Sequence, residues 1–356
     1  MLRWRFTRPL VLSLLALACW GQDEPQPLEA NWVARDFTFG TGETLPELRL
    51  HYITLGSPQR DAAGRIRNAV LILHDTGSGA PPFLTGGFLG ALFLKGQPLD
   101  ASKYYIILPD AIGHGETSKP SDGLHAKFPH YNDGDMVRAQ YLLVHDGLKV
   151  EHLRLVMGIG MGGMQTWLWG ERYPDFMDAL MPLASSPAQI AGRHRIFRDL
   201  VVDAIRTDPG WKDGEYTSPP RGLLTAQFAQ FLMTTSPGQL QRLMPTSDVA
   251  DAQFQTLKRR FLRAVDANDM LYQYDSSRNY DAGTDLEKIR APLYAVNSAD
   301  DELNPPELGI LERAIQRVAK GRYIRIPASD ETRGHATAMR ARVWRDYLSE
   351  LLRAAQ

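Results

Sequence analysis

The sequence predicts an α/β fold in which one doubly wound, mostly parallel sheet carries an inserted helical cap. Strand-like and helix-like segments alternate through both halves of the 356-residue chain, as they do in layered α/β proteins. Continuous apolar runs such as Ala69–Leu73 end in glycine-containing loops, which is typical of strands covered on both faces. The alternation lapses over the helix-prone residues 186–285, and too few strands lie on either side to form two sheets. We therefore expect one core, residues 36–185 and 286–356, interrupted by a cap at 186–285.

The N-terminal segment is expected to be an export signal that does not belong to the fold. Three arginines precede the apolar run at 10–20, and small residues at 16 and 18 fit a cleavage site. Because the run has no polar face, an amphipathic helix is disfavoured. The sole cysteine, Cys19, leaves a lipid-anchored alternative open, although Leu17 and Trp20 fit that pattern poorly. We assign residues 1–22 to the signal and 23–35 to a polar tether, and expect an exported, periplasmic or secreted protein with no stable membrane span.

The strands of the core are predicted from two kinds of apolar pattern. Alternation of apolar and polar residues indicates half-buried strands, and continuous apolar runs indicate buried ones. The alternating segments are 36–39 and 47–55; the buried ones are 69–73, 104–109, 153–157, 179–184, 292–296 and 321–327.

The helices of the core are predicted from apolar residues that recur at the helical period. Residues 132–148 carry such a face, and Asn132 and Asp133 are available as N-caps. A buried helix is expected at 162–173, ending before Pro174. A helix over 305–320 and a closing helix around 344–351 complete the core.

The segment around Gly160 has the layout of a nucleophile elbow, the strand–turn–helix motif G-x-S-x-G. An apolar strand enters a turn with glycine at 158, 160, 162 and 163, and a helix follows. Gly160 stands where the motif requires serine, so the nucleophile position has no side chain to acylate and a serine-type covalent intermediate there is excluded. The elbow residue needs a positive φ, which glycine accepts without strain.

Two further residues occur in the chain order of an α/β-hydrolase fold, which is elbow, acid and then histidine. Asp301 follows the strand at 292–296, and an acid there can orient a histidine. His335 lies in the loop after the last strand and is the candidate base. Asp300 competes with Asp301, and Asp301 could also serve as the N-cap of the helix at 305–320.

The loop after the strand at 69–73 is the candidate oxyanion hole. In this fold, one N–H from that loop and one from the residue after the nucleophile bind the oxyanion, so Thr76 and Met161 are the candidates. An ordinary glycine-rich turn remains the alternative. Asp75 conflicts with the assignment, because a carboxylate there would oppose anion binding unless it were protonated or turned away. Ser78, on the same loop, is a candidate substitute nucleophile.

Other classes of function find little support in the composition. The net charge of −1 offers no electrostatic case for nucleic acid or an anionic membrane. The glycines at 158–163 lack the spacing of a dinucleotide loop. No metal-ligand spacing is found, and Arg193 and Arg195 place cations beside His194. We therefore expect no cofactor and no metal; the oligomeric state stays open.

A family resemblance rests on seven stretches of the chain, namely 68–74, 135–140, 161–165, 186–191, 204–216, 301–306 and 334–335. Together they resemble the homoserine O-acetyltransferase branch of the α/β-hydrolase superfamily. The resemblance covers roughly residues 37–352 and implies a mostly parallel sheet, a helical lid and a Ser–His–Asp acyl-transfer site, with His335 as base and Asp301 as acid. Gly160 in place of the acyl-accepting serine is one departure. The export signal is another, because acetyl-CoA is cytosolic, so the chain looks more like exported hydrolase relatives.

Three hypotheses about function follow, all of them concerning small ester or acyl compounds. In the first, the His335–Asp301 dyad activates water, or removes a proton from the substrate, in the space left by the serine. In the second, the chain is a pseudoenzyme that binds such a compound without turnover. In the third, it is an ordinary esterase with a serine-to-glycine change at 160, so that Gly160→Ser should restore hydrolysis.

Overall fold

The core of the protein is one eight-stranded sheet flanked by helices. The computed structural model describes residues 25–261 and 265–355, and its strands lie in the order β1-β2-β4-β3-β5-β6-β7-β8. Neighbours from β4 to β8 pair in parallel, whereas β1–β2 and β2–β4 pair antiparallel. The predicted doubly wound, mostly parallel sheet is confirmed. The strands are β1 (Leu28–Thr38), β2 (Thr44–Leu55), β3 (Ala69–Leu73), β4 (Tyr105–Pro109), β5 (Leu155–Ile159), β6 (Leu180–Leu183), β7 (Leu293–Ser298) and β8 (Gly321–Ile326).

Apolar clusters cover both faces of the central strands, which explains their continuous apolar sequences. A third cluster joins the cap to residues around β2 and to helix α2. Between β6 and β7, the described residues hold five α-helices, α4 to α8. The helices are α1 (Gly86–Leu92), α2 (Asp133–Leu142), α3 (Met161–Arg172), α4 (Gly192–Arg206), α5 (Arg221–Thr234), α6 (Pro237–Leu243), α7 (Ser247–Phe261), α8 (Ala267–Asp275), α9 (Ile310–Ile315) and α10 (Arg345–Ala354).

The strand order places a crevice between β3 and β5. The chain passes from β3 to β4 on one side and then returns to β5 on the other, so the connections after β3 and β5 diverge. Ligands of open α/β sheets bind at such a switch point, outside the carboxyl ends of the strands. Leu73 at the end of β3 pairs with Gly158 of β5, so the loops that carry Asp75 and Gly160 begin side by side.

Three details differ from the sequence predictions. Residues 28–35 are not a tether: they belong to β1, which lies at the edge of the described sheet and pairs with β2. Among these eight residues only Ala34 is buried, so their sequence lacks the apolar pattern of a core strand. The helix predicted at 305–320 is shorter, because Gly309 adopts a left-handed conformation (φ 62°) between a 3₁₀ turn and α9. Helix α2 ends at Leu142 and continues as a π-helical turn to Gly147. Its predicted N-cap is confirmed, since the Asn132 side chain accepts from Asp135 N–H.

The signal assigned to residues 1–22 and the lipid-anchor alternative at Cys19 lie outside the described residues. Among residues 25–261 and 265–355, no helix has both the length and the apolar character needed to cross a membrane.

Candidate active site

The elbow predicted around Gly160 is present in the backbone. β5 ends at Ile159, Gly160 has φ 53° and ψ −111°, and α3 begins at Met161. The turn packs tightly on the end of β3: Gly162 N–H donates to the His74 carbonyl at 3.0 Å. A β-carbon on Gly162 would lie 2.3 Å from the Leu73 carbonyl oxygen, so this approach requires glycine.

Asp301 and His335 form the predicted acid–histidine pair at the ends of β7 and β8. His335 Nδ1 lies 3.1 Å from Asp301 Oδ2 and 3.3 Å from Oδ1. The Asp301 side chain is fully buried, and its Oδ1 also accepts from Leu303 N–H at 2.9 Å. Asp301 does not cap α9, whose N-cap is Gly309. Its contacts therefore match those of an acid that orients the imidazole.

The competing acid, Asp300, fixes the histidine loop. Its Oδ2 accepts from Thr332 Oγ1 at 2.9 Å and from Gly334 N–H at 3.2 Å, and its Oδ1 contacts Ser298 Oγ. Asp300 thus ties the end of β7 to the loop before His335.

The two N–H groups predicted to form the oxyanion hole converge on one atom of Asp75. Thr76 N–H donates to Asp75 Oδ1 at 2.7 Å, and Met161 N–H donates to the same oxygen at 3.2 Å. Oδ2 lies 3.5 Å from His335 Nε2. Neither condition under which Asp75 would be compatible with an oxyanion hole is met, because the side chain is turned towards both donors and its pKa is lowered. Its carboxylate occupies the position in which a substrate oxyanion would be bound, as a charged acceptor for both donors.

The space next to Gly160 is filled by the same carboxylate. A β-carbon at residue 160 would lie 2.0 Å from Asp75 Oδ1 and 2.9 Å from His335 Nε2. Gly160 still provides no nucleophile, but the space beside it is not free, because the Asp75 carboxylate lies where a side chain at 160 would be. A side chain at 160 and the observed position of Asp75 exclude each other, since atoms at 2.0 Å would overlap.

Charge distribution within the site keeps a proton on His335. Burial lowers its pKa, but Asp301 and Asp75 outweigh burial and raise the pKa to about 10. For Asp75, burial raises the pKa, but His335 and the hydrogen bonds from Met161 and Thr76 bring it below its usual value. At neutral pH the Asp75 carboxylate therefore faces a His335 imidazolium, and in this state His335 cannot accept a proton.

The cap supplies a wall of the site that the sequence analysis did not assign. Arg198 of α4 is buried, donates to His194 Nε2 at 3.1 Å and lies over the Tyr274 ring. Burial, followed by Arg198 and His335, holds the pKa of His194 well below its usual value, so His194 stays neutral. Arg198 lies on the buried face of α4 at the helical spacing of Val201 and Ile205, so its place within the apolar face is the sequence signal that could have found it.

Two adjoining cavities offer room for a ligand. One of about 30 Å³ borders Asp75, Gly160 and His335. The other, of about 570 Å³, lies between the start of α4 and residues 302–312. Both cavities have Met164, His194, Leu303 and Asn304 in their walls. The larger volume falls within the range of small-molecule sites.

Other candidates do not join the site. The Ser78 hydroxyl donates to the Gly79 carbonyl at 3.4 Å and lines neither cavity. Within the described part of the chain, no group of three or more His, Cys, Asp or Glu could hold a metal ion. By contrast, the five predicted site residues meet at the carboxyl ends of the strands: Gly160, Asp301, His335, Thr76 and Met161.

This fold and site define the chain as an α/β hydrolase in architecture. The family model of the alpha/beta hydrolase fold matches residues 83–330, and the chain belongs to that family. Homoserine O-acetyltransferases are among its relatives: that of Clavibacter michiganensis subsp. michiganensis is 28% identical over 330 residues, which cover 81% of this chain and 83% of the relative.

Solved structures of two relatives have the same fold. The homoserine O-acetyltransferase of Bacillus anthracis superposes with a TM-score of 0.79 at 20% identity, over 92% of this chain and 97% of that chain. The acetyl esterase MekB superposes with a TM-score of 0.78 at 24% identity, also over 92% of this chain and 97% of that chain.

Proposed function

We propose that this chain is an exported α/β-hydrolase-fold protein, descended from enzymes acting on small esters, whose present activity depends on the His335–Asp301 dyad together with Asp75. The observation that carries the proposal is the Asp75 carboxylate, which accepts both oxyanion-hole N–H groups and fills the space of a side chain at 160. The names of its relatives, homoserine O-acetyltransferases and an acetyl esterase, support small acyl compounds as ligands.

Serine-type acyl transfer lacks each of its three requirements in this arrangement. Gly160 provides no nucleophile, and the donors of the oxyanion hole are already occupied by Asp75 Oδ1. His335, with a pKa raised to about 10 by Asp301 and Asp75 despite burial, carries a proton at neutral pH. The first hypothesis, activation of water in space left by the serine, therefore has to include Asp75.

Binding without turnover is the second candidate. The cavity of about 570 Å³ beside the site favours it, because a ligand can lie there without displacing Asp75. Thermal-shift screening of small esters and carboxylic acids, together with product analysis, separates the two candidates: a stabilising ligand that is never converted supports binding alone.

The test of the proposal is a reciprocal exchange at the two positions. We expect Gly160→Ser alone to gain little hydrolysis of p-nitrophenyl acetate, because Asp75 competes for the same space and the same donors. Gly160→Ser combined with Asp75→Ala should exceed the wild type by about 10³-fold or more in kcat/KM, the scale of a lost nucleophile.

The matched control is Gly160→Ala with Asp75→Ala, which opens the site in the same way but adds no hydroxyl. A gain in this control would indicate that water, and not serine, attacks the ester. Full activity in Gly160→Ser alone would contradict the blocking role of Asp75 and favour the third hypothesis, an ordinary esterase with a serine-to-glycine change.

Export is proposed from residues 1–22 alone, in which arginines precede an apolar run. Expression of the full chain in a bacterium, with fractionation and mass analysis of the mature N-terminus, tests it. A start near residue 19 without added mass indicates a secreted form, a lipid-sized increase on Cys19 indicates an anchored form, and an intact N-terminus in the cytosol contradicts export.

A further inference from the structure

The two oxygens of the Asp75 carboxylate have different environments. Oδ1 is fixed by two backbone N–H groups, from Thr76 and Met161. Oδ2 faces His335 Nε2 at 3.5 Å, and the described residues provide it with no backbone donor. The side chain is 29% exposed, unlike Asp301, so a ligand can reach it. One oxygen is thus anchored in the oxyanion hole, while the other is directed at the site's proton donor.

We propose that Asp75 is a nucleophile, and that the site opens a small terminal epoxide and hydrolyses the resulting ester to a diol. This deepens the proposed function, because it rests on Asp75 acting with the His335–Asp301 dyad. A carboxylate that attacks a saturated carbon forms an ordinary ester, whereas attack on an acyl group would give a reactive anhydride. Covalent catalysis by carboxylates is general chemistry.

In the first step, Asp75 Oδ2 attacks a ring carbon and the C–O bond of the epoxide breaks. The ring oxygen takes the Nε2 proton of the His335 imidazolium. The products are a hydroxyalkyl ester on Asp75 and a neutral His335, whose ring is still held by Asp301. The proton on His335 therefore serves this step as a general acid, although it prevents basic catalysis in the resting site.

In the second step, the neutral His335 takes a proton from water, and the hydroxide attacks Asp75 Cγ. Negative charge develops on Oδ1, which already accepts the Thr76 and Met161 N–H groups, so the oxyanion hole stabilises an oxyanion of the protein itself. Collapse of this tetrahedral intermediate expels the alkoxide, which takes the proton of the new Asp75 carboxyl group. The diol leaves, and the carboxylate and the imidazolium are restored.

The proton that His335 carries selects the class of electrophile. An epoxide oxygen needs a proton when the ring opens and thereby converts His335 into the base for the second step. A halide leaves without a proton, so His335 stays protonated and the ester on Asp75 should persist. The cavity of about 30 Å³ beside Asp75 has room for only one or two waters, so only the terminal carbons of a ligand enter it. Its body would lie in the adjoining cavity of about 570 Å³.

The decisive measurement is a single turnover of styrene oxide by excess wild-type protein in oxygen-18 water. Because water attacks Cγ of Asp75, the first diol should contain no heavy oxygen, and the peptide with Asp75 should gain one. Asp75→Ala should lower diol formation by about 10³-fold or more, as expected for a lost nucleophile. With 1-bromobutane, intact-mass analysis should show a butyl adduct that maps to Asp75.

The controls separate this inference from other outcomes. Asp175→Ala, an exposed carboxylate paired with Arg290, should leave turnover unchanged. Heavy oxygen in the first diol would overturn the covalent step, as would the absence of both diol and adduct. Ester hydrolysis by the Gly160→Ser, Asp75→Ala protein is measured separately, so a blocked acyl-transfer site would stand even if the epoxide result were negative.

Discussion

The site has two halves, each built on the ends of two neighbouring strands, and they differ in how closely they follow the family pattern. At the ends of β7 and β8, Asp301 and His335 adopt the contacts of an acid and an oriented base. At the ends of β3 and β5, a carboxylate from one loop occupies the space that the elbow on the other loop leaves open. The first half pairs an acid with a histidine, and the second places a carboxylate beside Gly160, where the motif G-x-S-x-G has a serine. The β3–β5 half therefore affects the β7–β8 half, because Asp75 helps to keep His335 protonated.

The largest expected difference between the halves concerns stability. Asp301→Ala removes a fully buried partner of His335, and we expect it to lower the free energy of unfolding by about 3–5 kcal/mol. Asp75→Ala removes a partly exposed partner and leaves Asp301 in place, so we expect it to lower the free energy of unfolding by about 1 kcal/mol. Urea unfolding of both variants provides the comparison. Equal losses would mean that the two carboxylates hold His335 equally, contrary to their burial.

Sequence patterns predicted the β7–β8 half more completely than the β3–β5 half. Asp301 and His335 could be found because their residue types and chain order carry the signal, and the glycines around residue 160 revealed the elbow. The contact between Asp75 and Gly160 could not be found, because it depends on the direction of one side chain across the gap between two strand ends. Residue type alone suggested that Asp75 would disturb the oxyanion hole; the geometry shows that it occupies it.

The core strands were predicted for a similar reason, since burial on both faces imposes a continuous apolar sequence. The first part of β1, residues 28–35, was missed because an exposed edge strand carries no such constraint. The division of the helix after Asp301 was also missed, since a single glycine, Gly309, interrupts an otherwise helical pattern.

A smaller effect is expected for the energetic coupling between Gly160 and Asp75 in the β3–β5 half. Gly160→Ala places a methyl group at a positive φ and 2.0 Å from Asp75 Oδ1. In the wild-type background it should lower the free energy of unfolding by about 1–3 kcal/mol. In an Asp75→Ala background only the backbone strain remains, so the cost should fall. The double-mutant cycle should give a coupling energy of about 0.5–2 kcal/mol. If the stability losses of the two single variants simply add in the double variant, Asp75 moves aside without cost and does not compete with a side chain at residue 160.

The smallest effect is the pH dependence of the stability that Asp75 contributes. The pKa of His335 is about 10 in the folded protein, because Asp301 and Asp75 outweigh burial, and about 6.5 when unfolded. The ion pair is therefore fully stabilising below about pH 6.5 and is lost as the pH rises through about 10. The pKa of Asp75 is lowered on folding, where His335 and the backbone donors outweigh burial, so its contribution is also lost in acid, below about pH 3.9.

The stability difference between wild type and Asp75→Ala, about 1 kcal/mol at most, should thus be flat between these limits and shrink towards about pH 10. Urea unfolding at a series of pH values measures it, with Asp175→Ala, which removes an exposed ion pair, as the control that should show no such decline. A difference that stays constant up to about pH 10 would mean that Asp75 stabilises the fold through its backbone hydrogen bonds alone, without the charge on His335.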